Sequence, residues 1–93
     1  MIEIKQHDGR KGKFEIFVDE KLAGEMTYTW AGDSKFIIDH TEVNDGYDGQ
    51  GLAKKLVLAG IEFARNQQVK IMPLCPYAKS VFDKNAEYKD VLF

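Results

Sequence analysis

The chain has 93 residues, 44% hydrophobic and 30% charged, which describes one folded domain rather than a disordered tail or a two-domain protein. A formal charge of −2 gives no reason to expect nucleic acid or an anionic membrane as partner. No apolar run approaches the ~20 residues of a membrane span. Met1-Ile-Glu-Ile-Lys5 lacks a signal-peptide pattern, and a lone Cys75 makes no internal disulfide, so a reducing cytoplasmic location is expected.

Ile2 to Gln6 alternates weakly and predicts a short first strand, followed by turn chemistry from His7 to Gly12. Phe14, Ile16 and Val18 fall on one face of the next strand. Asp19-Glu20-Lys21 turns the chain into a third, where Leu22, Gly24, Met26, Tyr28 and Trp30 share a side. Phe36 to Val43 is the fourth. Strict alternation turns Phe36, Ile38 and His40 one way, and Ile37, Asp39, Thr41 and Val43 the other. Both sets are partly apolar, which predicts a central strand covered on each side.

From Gly51 to about Gln67, Leu52, Leu56, Ala59, Gly60 and Phe63 recur at three- and four-residue spacing, widened by Val57 and Ala64. This is an amphipathic helix of about four turns. Val69 to Leu74 resumes as a short strand that Pro73 interrupts near its end. Pro76 then suits the first position of a second helix, with Val81 and Phe82 on its apolar side. Asn85 to Phe93 reads as a helical end packing Tyr88, Val91 and Leu92 against the sheet. The predicted fold class is therefore α+β: a mainly antiparallel sheet, a parallel β-α-β crossover and a short C-terminal helix.

Asp45-Gly-Tyr-Asp-Gly-Gln-Gly-Leu-Ala-Lys54 joins the fourth strand to the long helix. Its glycines allow unusual backbone angles and leave a ligand unobstructed. The first helical turn adds unpaired N–H groups and a partial positive charge. Together they suggest a phosphate cradle. Gly46-x-x-x-x-Gly51 has P-loop spacing, but Leu52-Ala53 stands where that motif needs lysine and a hydroxyl residue, so a nucleotide triphosphatase is rejected. Lys54 stands where the dinucleotide fingerprint needs its third glycine.

Gly49-Gln-Gly-Leu-Ala53, after a strand ending Thr41-Glu-Val43, resembles the acetyl-CoA-binding segment of the GCN5-related N-acetyltransferases (Gln/Arg-x-x-Gly-x-Gly/Ala). Gly46 occupies the Gln/Arg position. Asp39-His-Thr-Glu-Val43, Gly49 to Val57, Pro73-Leu-Cys-Pro-Tyr-Ala-Lys79 and Tyr88 echo the short single-domain YjdJ-like group over nearly the whole chain.

The resemblance implies a GCN5-like fold in one domain, residues 1–93, with acetyl-CoA as co-substrate and no metal. It implies that two parallel strands splay around the pantetheine arm, which pairs with Thr41, Glu42 and Val43. The pyrophosphate would meet the amides of Gly49, Gln50, Gly51, Leu52 and Ala53, with Lys54 adding attraction and Tyr77 nearby. Cys75 would lie near the thioester, either as an acyl-handling nucleophile favoured by a helix N-terminus or as a small buried residue lining the cleft. His40 would be a proton acceptor for the incoming amine or for Cys75, or simply a hydrogen-bonded strand residue. Phe82 occupies the position where larger relatives carry a proton-donating tyrosine. The expected activity is acetyl transfer to an unidentified amine, of protein or small molecule. The alternative is a CoA-binding or sensing module with little turnover.

Overall fold

The computed structural model describes residues 1–93, and its β-sheet follows chain order: β1 (Ile2–His7), β2 (Lys11–Val18), β3 (Lys21–Trp30), β4 (Lys35–Val43) and β5 (Lys70–Pro73). The first four strands are antiparallel to their neighbours, and β4 and β5 are parallel. Asp19 and Glu20, at φ 49° and 71°, form the two-residue turn between β2 and β3, whose left-handed angles match the twist of a tight hairpin. Helix α1 (Leu52–Gln67) carries the chain from β4 to β5, and α2 (Pro76–Lys84) follows. A 3-10 helix (Ala86–Val91) ends the ordered elements, after which Leu92 bridges to Ile71 beside β5.

The core lies on one face of the sheet. Phe14, Ile16, Met26, Tyr28, Phe36, Ile38 and Ile71 meet Leu52, Leu56, Val57, Ile61 and Ala64 of α1, with Ala78, Val81 and Phe82 of α2 beside them. Each large apolar side chain so buried contributes ~1.5–3 kcal/mol. Phe63 of α1 seals one end, its ring 5.8–6.3 Å from those of Phe14, Tyr28, Trp30 and Phe36. Gly12 is required beneath this cluster, because a Cβ there would sit 2.5 Å from the Tyr28 ring.

Two bulges change which side chains reach that core. Ile16 pairs with Gly24 but Phe17 with Leu22, so Ala23 is an extra residue. Ala23 is buried, and Leu22, expected on the Met26 face, is 41% exposed. In β4, Thr27 pairs with His40 but Tyr28 with Ile38, leaving Asp39 as the extra residue. One inserted residue reverses the alternation beyond it. Thr41 and Val43 therefore face the core opposite Met26 and Gly24, while His40 turns to the open face, contrary to the expectation that it follows Ile38.

The expectation that β4 is central is met, since it pairs with both β3 and β5. Its second face carries no helix, however, and Ile37 and Thr29 remain half-buried there. The C-terminal segment is instead tied to the core side: Arg65 holds Asp90 through Nε at 2.8 Å and Nη2 at 2.9 Å.

Candidate functional site

Pairing between the parallel strands stops at Ile38 and Pro73. Proline has no N–H to continue the ladder, and the Ile38 carbonyl accepts from the next two amides instead, Leu74 at 3.2 Å and Cys75 at 3.0 Å. Beyond this point β4 stays paired with β3 as far as Val43 while its other edge loses β5. The bulge at Asp39 begins where the partner strand ends, so the two strands part.

Cys75 sits across this opening, just before α2. It is 4% exposed, and its Sγ lies 3.6 Å from the Thr41 hydroxyl on β4. Burial pushes the thiol pKa up. The Ala78 amide, the Thr41 hydroxyl and the amides of Tyr77 and Thr41 favour the thiolate and together outweigh burial, leaving the pKa below its ordinary 9.0. The amides of the first turn of α2 do not make full capping hydrogen bonds to Cys75, so they act as oriented dipoles near the sulphur.

The turn after β4 has Gly46, Gly49 and Gly51 at φ 91°, 80° and 69°. Gly51 precedes α1 in the left-handed conformation, with no side chain capping the helix. Lys55 N–H closes the first turn on Gly51 at 3.2 Å, and none of the amides from Gly49 to Lys54 donates to a protein acceptor. A Cβ added at Gly49 or Gly51 would meet nothing within 4 Å. Glycine is thus required here by backbone angle, and space is left above the amides. That space is a cavity of about 280 Å³ walled by Val43, Tyr47, Asp48, Gly49, Gly51, Leu52, Ala53 and Tyr77.

The cavity gathers Val43, Gly49, Gly51, Leu52, Ala53 and Tyr77 of the expected site, and Thr41 joins Cys75. The side chains of Gln50 and Lys54 are exposed outside its walls, although their amides belong to the unpaired set. His40 and Glu42 lie on the opposite face, Nε2 to Oε2 at 3.3 Å, and are 64% and 62% exposed. Tyr47 and Asp48 were not anticipated. Both stand in the turn, where neither periodicity nor spacing marks a wall residue. Asp48 brings a negative charge beside the unpaired amides, against the lysines at Lys54 and Lys55. Phe82 is buried in the core. No group of three or more His, Cys, Asp or Glu side chains is arranged to hold a metal ion, and no helix is long and apolar enough to cross a membrane.

A family model described as GCN5-related N-acetyl-transferase matches residues 13–91. The human protein NATD1 is 29% identical over 85 residues, spanning 86% of this chain and 72% of NATD1. A GCN5-like protein from Staphylococcus aureus, solved by NMR, is 37% identical and superposes with a TM-score of 0.75 over 98% of this chain and 87% of its own. A GNAT-family acetyltransferase from Elizabethkingia anophelis, solved with acetyl-CoA bound, has a TM-score of 0.68 at 13% identity, over 77% of this chain and 63% of its own. At that identity the likeness is one of fold.

Proposed function

Because the chain belongs to the GCN5-related N-acetyltransferase family, we propose that it binds acetyl-CoA at the turn before α1 and transfers the acetyl group to an amine. The observation that carries this reading is the run of amides from Gly49 to Lys54 that have no protein acceptor and open on a cavity of about 280 Å³. A diphosphate there would accept those hydrogen bonds and meet the positive end of α1. Lys54 would add attraction from outside, and Asp48 would oppose it. The freed edge of β4 from Thr41 to Val43 offers main-chain groups to a pantetheine amide, and Tyr77 closes the cavity from α2.

When bound, acetyl-CoA supplies an acyl group activated as a thioester. Transfer forms a carbon–nitrogen bond, breaks the carbon–sulphur bond, and requires a base for the amine's proton and an acid for the departing thiolate. Cys75 would serve as an acyl carrier if its thiolate displaced CoA and was in turn displaced by the amine. The donors around its sulphur support that role. His40 faces the open side of the sheet and would take the proton of an amine arriving from there.

A second reading, a CoA-binding or sensing module with little turnover, is favoured by Phe82. It is 2% exposed and carries no proton where larger relatives present a tyrosine. Titration calorimetry with CoA tests the binding site common to both readings. An assay of acetyl-CoA with an amine panel separates them, and mass spectrometry of the Cys75 peptide after acetyl-CoA treatment reports an acyl-cysteine. No CoA binding at millimolar concentration would end both readings.

A further inference from the structure

The open face of the sheet carries a shallow cavity of about 420 Å³ over β2, β3 and β4. Thr27 and Thr29 form its floor, Lys11 and Lys13 stand on one side, and Asp39 stands on the other. The register accounts for this arrangement. Lys13 pairs with Thr27 and Lys11 with Thr29, while the bulge sets Asp39 beside Thr29, whose hydroxyl donates to Oδ2 at 2.7 Å. Lys11 makes no ion pair, Lys13 reaches only Glu15 at 3.6 Å, and Asp39 has no cationic partner. Asp8, on the rim, accepts from Tyr28 Oη at 2.6 Å and Trp30 Nε1 at 3.1 Å, neutral donors that hold it in place as a second carboxylate of the cavity.

Lys11 and Asp39 therefore face one cavity as opposite charges without an ion-pair partner, on strands about 9–10 Å apart. We propose that this cavity receives the acceptor of the acetyl group, and that the acceptor is an ω-aminocarboxylate. Its ammonium rests on Asp39, its carboxylate on Lys11 and Lys13, and its methylenes over Thr27 and Thr29. An α-amino acid, with its charges one carbon apart, does not span the two walls. The location suits transfer, since Asp39 follows Ile38, the last β4 residue partnered by Leu74 and Cys75. An amine held there lies at the mouth of the parting strands, on the side of the sheet opposite Cys75.

The purpose of the cavity rests on the acetyl-transfer reading, but its test does not. The full chain, without acetyl-CoA, is titrated with ε-aminocaproate, hexylamine and hexanoate while its amide NMR signals are followed. The expected result is that ε-aminocaproate moves Thr27, Thr29 and Asp39 and binds about tenfold or more tighter than either half-molecule, because its second contact is intramolecular. Equal binding of all three ligands, or shifts confined to other residues, overturns the proposal, and this comparison needs no variant. Asp39→Asn, which keeps an oxygen for Thr29, should lower ε-aminocaproate to the level of hexanoate. Lys11→Gln with Lys13→Gln should lower it to that of hexylamine. Selective binding without acetylation would keep the cavity as an ω-aminocarboxylate site but overturn its role as the acceptor site, while the transfer reading stands or falls on the amine panel. Acetylation of hexylamine as fast as of ε-aminocaproate, without selective binding, would overturn the site and leave the transfer reading standing.

Discussion

Cys75 Sγ lies 3.6 Å from Thr41 Oγ1, joining the start of α2 to β4 across the gap where β4 and β5 separate. The contact exists because Asp39 is an extra residue in β4, which brings Thr41 to the core face. The Thr41 hydroxyl and the neighbouring amides stabilise a thiolate in a buried place that would otherwise disfavour it.

Thr41→Val should therefore move the pH midpoint of Cys75 alkylation upward, towards the ordinary 9.0, as one donor is lost. Between the depressed folded pKa and 9.0 the unfolded chain binds more protons, so this group's contribution to stability rises with pH and is lost as pH falls through the folded value. An unshifted alkylation midpoint in the variant would show that the hydroxyl does not act on the sulphur.

Gly49→Ala and Gly51→Ala each force a side chain into φ 80° or 69°, at a cost of ~1–2 kcal/mol. In a domain of this size that is a fall in Tm of several degrees. Gly46→Ala is the control, since it carries similar strain at φ 91° but does not wall the cavity. All three should lose thermal stability, and only Gly49→Ala and Gly51→Ala should also weaken CoA in calorimetry. Equal CoA affinity in all three would remove the turn from the binding site.

His40→Gln should leave CoA affinity unchanged, because the ring faces away from the cavity at the turn. If His40 takes the amine's proton, turnover falls by about 10²-fold or more with no change in melting temperature. Unchanged turnover assigns the ring to its surface contact with Glu42.

Tyr28 should ionise only at strongly alkaline pH. Burial and the Asp8 carboxylate bonded to its hydroxyl push its pKa up to about 12, against a smaller opposing effect of Gln6. Absorbance at alkaline pH should show a late phenol phase near pH 12. The folded chain keeps this proton where the unfolded chain loses it, so stability falls as pH rises from about 10 to about 12. Tyr28→Phe should remove the late phase and cost ~1 kcal/mol, leaving Asp8 and Gln6 without their partner.

Asp90→Asn should loosen the C-terminal turn without unfolding the sheet. The Arg65 guanidinium holds its carboxyl pKa below the ordinary 3.8, and the variant replaces that ion pair with a neutral amide. Faster amide exchange confined to residues 86–93 is expected, with greater salt sensitivity in the parent than in the variant. Unchanged exchange would mean that the other ties hold the segment without the ion pair, among them Arg65 to the Glu87 carbonyl, Lys70 to the Asp90 carbonyl and the Phe93 amide to Ile71.

Local chemistry made much of this protein legible in its residues. The turn from Asp45 to Gly51, the apolar stripe from Leu52 to Ala64, and Pro76 opening α2 are short-range signals, and each element stands where those signals put it. The family follows from the same stretches, because the glycine turn and the Leu-Cys-Pro-Tyr segment carry their pattern in consecutive residues. What lies on each face of β4 was decided by tertiary structure. A strand read by alternation has no way to announce an inserted residue, since the bulge at Asp39 exists only in the register between β4 and β3. That single insertion sends His40 outward, brings Thr41 to Cys75 and sets Asp39 over Thr29. The pairing of two strands, rather than the identity of any residue in them, determined which side chains face the opening.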